Sequence, residues 1–200
     1  MSLHDQPSLF EEPPVATGLP DGMKYAPGIL TPDQERRLVS AIERLPFKPF
    51  EFRGYLGNRR VVSFGWRYRF DGSGLGKADE MPDFLLGLRD RAAEFSGVAA
   101  EEFQHALVTE YAPGAAIGWH RDRPEFGRVV GVSLVSPCRF RLRRRTPTGF
   151  DRVAFTAEPR SAYLLSGPAR TEWEHSIPAV ETLRYSVTFR ELEVGRPRPG

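Results

Sequence analysis

The segment Arg184-Tyr185-Ser186-Val187-Thr188-Phe189-Arg190 alternates strictly between polar and apolar side chains. Successive side chains on a strand point to opposite faces. Arg184, Ser186, Thr188 and Arg190 therefore share one face, and Tyr185, Val187 and Phe189 share the other. A helix cannot use that period. The apolar face demands a core. The polar face has two readings: the solvated outer face common on antiparallel sheets, or an inward polar pocket where the arginines meet carboxylates. Further β-like runs precede this strand at 106–111, 127–135, 139–145, 152–156 and 161–165, punctuated by Pro and Gly. Many short strands with turn signals predict a sandwich, barrel or jelly roll.

Two helices are expected ahead of these strands. Thr31 can cap the first, Pro32 suits its first turn, and Gln34 completes a capping box. Leu38, Val39, Ile42 and Leu45 recur at helical spacing until Pro46 stops the run. The second spans about residues 82–95, with Phe84, Leu85, Leu88, Ala92 and Phe95 on one face and Ser96-Gly97 at its end. Between them, 59–70 reads as strand and hairpin, followed by the loop Asp71-Gly72-Ser73-Gly74. Helices ahead of a β-rich half predict an α+β fold. Residues 1–22 and 195–200 read as tails around one domain at 23–194.

The chain has 200 residues with 40% hydrophobic content and a mean hydropathy of −0.41, as expected of one soluble domain with its own core. No apolar run approaches the length that crosses a bilayer, so no membrane association is expected. The start, Met1-Ser2-Leu3-His4-Asp5-Gln6, lacks signal-peptide character. Cys138 is the one cysteine, which precludes an internal disulfide and fits a reducing, cytoplasmic location. Net charge is +2, which is neutral on the question of nucleic acid, but 25 arginines stand against three lysines. A GC-rich genome accounts for such a bias, and arginine also suits phosphate and carboxylate forks.

His120 and Asp122 are two residues apart, so an extended strand would point both to one face. His175 lies far off, as a third ligand from another strand would. Two histidines and a carboxylate can hold one face of an iron(II) ion and leave the other open. Nine aspartates and four histidines make a chance His-x-Asp expected about 0.2 times, so the pair needs its companions. The bland alternative is two histidines unrelated to metal in a non-catalytic jelly-roll binding module. His105 reads as structural or solvent-exposed.

Tyr111-Ala112-Pro113-Gly114, His120-Arg121-Asp122, His175 and the Arg184–Arg190 segment, taken in this order, resemble the AlkB family of Fe(II)- and 2-oxoglutarate-dependent dioxygenases. The resemblance covers roughly residues 23–192. It implies a double-stranded β-helix of jelly-roll type. It also implies iron held by His120, Asp122 and His175. Arg184, helped by Tyr111, would pair with the distal carboxylate of 2-oxoglutarate; Arg190 would sit beside the metal and co-substrate, and Ser186 and Thr109 would line that pocket. The implied reaction uses O2 to hydroxylate an alkyl group on a flipped base in DNA, which then falls apart to an aldehyde and the repaired base. The same chemistry on RNA or a protein side chain is the neighbouring alternative. Thr109 and Ser186 stand where family members commonly carry Asn. Pro124 stands where DNA-repair members often carry an acidic residue, which leaves the choice of base open.

Base-acting enzymes extrude the target and stack it in a pocket. Trp66 and Tyr68, alternating with Arg67, fall where the family's substrate lid begins, and Arg123 and Glu125 flank Pro124. These four are the expected substrate contacts; the alternative for Trp66 and Tyr68 is a buried core strand. Arg59, Arg60 and the 139–145 strand could contact phosphates. Equally, Arg139, Arg141 and Arg143 could form a solvated outer face opposite Phe140 and Leu142. Gln6-Pro7-Ser8-Leu9-Phe10 resembles the short peptide by which bacterial replication and repair proteins bind the sliding clamp, with Pro7 where leucine is usual. Alternatively, Leu9 and Phe10 simply pack on the domain.

Overall fold

The computed structural model describes residues 18–52, 55–69 and 74–193, with the backbone alone at 51, 52, 55–57, 67–69, 74 and 75. The clamp-like patch Gln6–Phe10, the loop residues 71–73 and the Tyr68 side chain lie outside the described residues.

The large sheet contains β1 (Met23–Ala26), β2 (Lys48–Phe52), β3 (Tyr55–Phe64), β6 (Phe103–Tyr111), β8 (Phe126–Leu134), β11 (Ser161–Leu165) and β13 (Arg184–Leu192). The small sheet contains β7 (Ile117–His120), β9 (Cys138–Thr146), β10 (Gly149–Ala157) and β12 (Glu174–Ile177). A hairpin joins β4 (Trp66–Arg69) to β5 (Gly74–Lys77). The helices are α1 (Pro32–Ile42), α2 (Asp83–Ser96) and the single-turn α3 (Gly167–Thr171). Strand order is β1-β11-β8-β13-β6-β3-β2 in the large sheet and β10-β9-β12-β7 in the small one. Neighbouring strands run antiparallel. This is a jelly-roll α+β fold, as the sequence predicts.

Local chemistry sets the helix ends. Thr31 Oγ1 accepts from Gln34 N at 3.2 Å, and Thr31 N donates to Gln34 Oε1 at 2.8 Å, closing the capping box. Gly97 ends α2 in the left-handed region at φ 72°, where a Cβ is costly. Glu35 on α1 then ties the helix to two loops, accepting from Val135 N at 2.9 Å and from Arg160 Nη1 at 2.8 Å.

There are two cores, one on each face of the large sheet. Outside, Ile42 of α1 and Leu85, Leu88 and Ala92 of α2 pack on Val108, Val130, Val132, Val187 and Phe189. Between the sheets, Tyr111, Val129, Tyr163 and Leu165 meet Phe140, Leu142, Phe155 and Trp173. Each fully buried Leu or Phe contributes roughly 1.5–3 kcal/mol. Both faces of β13 are therefore dry. Its polar face looks inward between the sheets, with Arg184 0%, Ser186 4%, Thr188 7% and Arg190 8% exposed. The solvated-face alternative for β13 fails.

One expectation needs correction. The His-x-Asp pair does not share a strand: β7 ends at His120, and Asp122 lies in the coil that follows. β7 is an edge strand, paired only with β12 among the described residues, and Pro124 ahead offers no N–H to extend a ladder. The strands β1, β2 and β12 and the turn α3 are too short to leave a period in the sequence. No described helix is long and apolar enough to cross a membrane.

Candidate functional site

Strand register arranges the inner face of the large sheet in rows. Arg184 of β13 lies opposite Tyr111 of β6, which lies opposite Arg59 of β3. The next inward-facing row runs through Ser161, Ser133, Ser186 and Thr109 on four adjacent strands. These four hydroxyl residues are all buried. A third row pairs Tyr163 with Gly131 and Thr188, and a fourth pairs Arg190 with His105. A polar floor thus lies in an interior that is otherwise apolar.

Across the gap, the small sheet supplies the histidines. His120 and His175 are paired residues of β7 and β12, with ring centroids 4.2 Å apart. The His175 ring stacks on Phe140 at 5.5 Å and 11°. His120 Nδ1 is 2.9 Å from Gly118 O. A carbonyl only accepts, so Nδ1 carries a proton, and Nε2 lies 3.8 Å from Asp122 Oδ1. Asp122 completes the corner: one ligand atom from each of the three residues lies within 4.8 Å of the others.

Asp122 is also held by the large sheet. Arg190 Nε donates to its Oδ2 at 3.1 Å and Nη2 to its Oδ1 at 3.5 Å. Behind Arg190, His105 Nδ1 is 3.4 Å from Arg190 Nη1. Burial pushes the Asp122 carboxyl up, but the charge and hydrogen bonds of the Arg190 guanidinium lead the effects that hold it well below the usual range. It is a carboxylate at any physiological pH. Burial and the neighbouring His120 lower His175 to about 3, so its ring is neutral and able to ligate. Burial, reinforced by Arg190, likewise keeps His105 neutral.

Two imidazoles and one carboxylate at one corner form the donor set that suits iron(II) with an open side. The second test concerns the dianionic 2-oxoglutarate. Arg184 is fully buried; its Nε donates to Ser133 Oγ at 3.1 Å, and its guanidinium lies 4.8 Å from the Tyr111 ring centre. Its Nη1 is buried with no hydrogen-bond partner. An orphaned buried donor costs about 1–3 kcal/mol, more when charged. A carboxylate docked there removes that cost. Both groups therefore fit the residues present.

A cleft of about 1100 Å³ opens beside Asp122, walled by Arg121, Arg123, Pro124, Phe126 and Arg170 among others. Arg170 shapes it from α3, donating from Nε to Gly127 O at 3.0 Å and from Nη2 to the carbonyls of Arg123 and Phe126, each at 2.5 Å. Of the expected substrate contacts, Arg123 lines this cleft, while Trp66 and Glu125 lie outside its walls. Arg60 is engaged by Glu110 at 2.7 Å. Arg59 lies opposite Tyr111 in the sheet, with its guanidinium 3.9 Å from the Phe50 ring centre, and burial lowers its pKa.

Sequence reasoning did not single out Ser133, Ser161, Tyr163 or Arg170. Their placement depends on register between distant strands or on a single helical turn. Of the two expectations for His105, structural or solvent-exposed, the exposed one fails: it is buried against Arg190. Its one signal is its position six residues before Tyr111 on a strand of the same parity.

The sequence model of the 2OG-Fe(II) oxygenase superfamily matches residues 22–190. An Arabidopsis thaliana protein named alkylated DNA repair protein ALKBH8 homolog is 25% identical over 183 residues, covering 78% of this chain and 51% of that protein. A Danio rerio protein named probable RNA/DNA demethylase ALKBH6 is 28% identical over 153 residues, covering 74% of this chain and 60% of that one. The chain thus spans little more than half the length of these curated relatives. The solved structure of OsALKBH1 shares the fold, with a TM-score of 0.66 at 16% identity over 86% of this chain and 98% of that one. With its jelly roll and its His–Asp–His corner facing a buried arginine, the chain belongs to the 2OG-Fe(II) oxygenase superfamily, among its AlkB-like members, which work with Fe(II), 2-oxoglutarate and O2.

Proposed function

We propose that this chain is a dioxygenase that removes alkyl groups from damaged bases in DNA. The observation that carries the reading is the cleft of about 1100 Å³ that has Asp122, one of the three corner residues, in its wall. It exceeds the usual range of about 300–1,000 Å³ for a small-molecule pocket. A base still joined to its sugar and phosphate fits such a space. The name of the Arabidopsis thaliana relative supports DNA as the substrate.

In this reading His120, Asp122 and His175 hold the iron, which with 2-oxoglutarate and O2 supplies the power to convert a substrate C–H bond to C–OH. The residues do the positioning. Gly118 O holds the His120 ring through Nδ1, so that Nε2 would be the ligating atom. Arg190 orients the Asp122 carboxylate. Arg184, steadied by Ser133 and stacked on Tyr111, takes the distal carboxylate of the co-substrate. Thr109 and Ser186 offer hydroxyls beside it. Arg170 holds the cleft wall at 123–127 while Arg123 faces the incoming nucleotide. Trp66 and Glu125 would meet the base only outside the cleft's walls. A hydroxylated N-alkyl carbon then loses its C–N bond, releasing an aldehyde and the unmodified base.

The test is mass spectrometry of alkylated DNA and RNA oligonucleotides incubated with Fe(II), 2-oxoglutarate and O2. Loss of the alkyl mass from DNA, with matching succinate, is the expected outcome. Activity confined to RNA would move the function to the second reading, which the Danio rerio relative's name favours. No activity on either would remove the nucleic-acid reading.

A further inference from the structure

The outward face of the small sheet carries a pattern that the metal corner does not use. Strand parity points Arg139, Arg141, Arg143 and Arg145 of β9 away from Phe140 and Leu142, and cross-strand register puts Arg152 of β10 opposite Arg143. Among the described residues of these four strands, Glu174 is the single acidic group on that face, opposite Arg143. Five cations thus face one carboxylate. Arg139, Arg145 and Arg152 are exposed. Asp151 and Glu172 are occupied at the sheet's end by Arg144.

Two rings run through these cations. Arg141 and Arg143 lie 5.0 and 4.5 Å from the Trp119 ring centre, and Arg143 and Arg152 lie 4.7 and 5.2 Å from that of Phe150. Arg143 sits between the two rings. Trp119 and Phe150 are both partly exposed, although each is large enough to fill a core. Trp119 is the residue immediately before His120. A shallow cavity of about 230 Å³ lies on this face, walled by Arg121, Arg143, Arg145, Phe150, Glu172 and Glu174. Arg121 and Glu174 also wall the large cleft at Asp122, so the two depressions are adjacent.

We propose that the outward face of the small sheet binds the single-stranded nucleic-acid flank of the target nucleotide. The proposal deepens the nucleic-acid reading above and rests on it. Guanidinium planes held on aromatic rings offer flat cationic platforms on which unpaired bases stack. The exposed Arg139 and Arg145 meet phosphates. A duplex hides its base faces and can use only the charges. Acidic side chains and anionic lipid headgroups bring charge but no aromatic face to stack on these platforms.

The experiment is fluorescence anisotropy with a labelled, unmodified oligothymidylate of about twelve nucleotides, within the ~4–16 nucleotides that one such surface covers. The Arg139→Ala/Arg145→Ala double variant should lower the log–log salt slope by about 1.4, from about 0.7 per lost phosphate contact on a single strand. Phe150→Ala should weaken binding by about ten-fold with the salt slope unchanged, as for the loss of one stacked base. A duplex of equal length should bind more weakly. Wild-type affinity in Phe150→Ala overturns the proposal, as does equal affinity for the duplex. Equal displacement of the oligonucleotide by polyglutamate or phosphatidylserine vesicles marks a general anion patch and overturns it too. Arg139 and Arg145 are exposed, so the double variant reports even where Phe150→Ala melts early. The two readings also fail separately. Normal turnover of a modified trinucleotide with variant-insensitive oligonucleotide binding removes this surface and keeps the function. Variant-sensitive binding without turnover of any oligonucleotide keeps the surface and removes the function.

Discussion

At the scale of single residues, the site is a set of buried charges held by named partners. Arg184 is the extreme case, fully buried with one nitrogen unsatisfied. A lysine there keeps the charge but loses the planar fork. Arg184→Lys should raise KM for 2-oxoglutarate by about 10–100-fold with little change in kcat, as for the loss of ~1.5–3 kcal/mol of charge-assisted bonding. Steady-state kinetics check this, and an unchanged KM would mean the co-substrate docks elsewhere. His105 gives a second prediction, through pH. Burial and Arg190 hold its pKa well below the ordinary 6.5. Below about pH 6.5 the unfolded chain takes up a proton at this ring that the fold refuses. Its contribution to stability is therefore complete above that pH and lost as pH falls towards the folded value, by up to about 1.4 kcal/mol per pH unit. His175 is depressed in the same direction, to about 3, and adds its own slope. The difference between wild type and His105→Asn isolates the one ring. Urea unfolding from about pH 7.5 down to about pH 5 should show wild type losing stability faster than the variant. Parallel curves would mean that His105 is protonated in the fold.

At the scale of elements, the inner face depends on β8 and β11 approaching through a missing side chain. Tyr163 lies opposite Gly131, and a Cβ on Gly131 would meet the Tyr163 ring at 2.2 Å from Cζ. The ring fills the space that glycine leaves. Gly131→Ala should destabilise by about 1–3 kcal/mol through overpacking. Tyr163→Leu in the same chain should recover part of that loss, because the shorter side chain vacates the contact. A double-mutant cycle on urea midpoints measures the coupling, and additive effects would mean that the clash is relieved by backbone movement instead. Sequence reading reached this level unevenly. Strict alternation identified both faces of β13, because a period of two survives any tertiary context. The cap at Thr31 and the stop at Gly97 were legible because each rests on neighbours three or four residues away. His120 and Asp122 were legible as partners but assigned to one strand; strand parity takes no account of Pro124 ahead of an edge strand. The row Ser161, Ser133, Ser186 and Thr109 was not legible as a row. It exists only once four strands are in register, and register between distant strands is a tertiary property.

At the scale of the whole molecule, the site is a joint between two sheets. The small sheet carries His120 and His175. The large sheet carries Arg184 and Arg190. Asp122 leaves the small sheet and is gripped by Arg190 of the large one. An ion held at the corner would engage the large sheet through Asp122 and its partner Arg190, and a dicarboxylate paired with Arg184 would engage it again. Each ligand should bind better once the other has drawn the sheets together, which is a coupling free energy between the two. Bound at about 100 times its Kd, a ligand adds about 2.7 kcal/mol to the stability of the fold. In a domain of this size that corresponds to a rise in Tm of about 5–10 °C. Differential scanning under argon should show a small rise with Fe(II) alone at a fixed concentration and a smaller one with 2-oxoglutarate alone. Both together should give a rise larger than their sum. His120→Ala should remove the metal response and the excess. Arg184→Lys should leave the metal response and reduce the excess. A strictly additive response in the wild type would mean that the ligands occupy sites that do not share the joint, and the assignment of Arg184 to the co-substrate would fall with it.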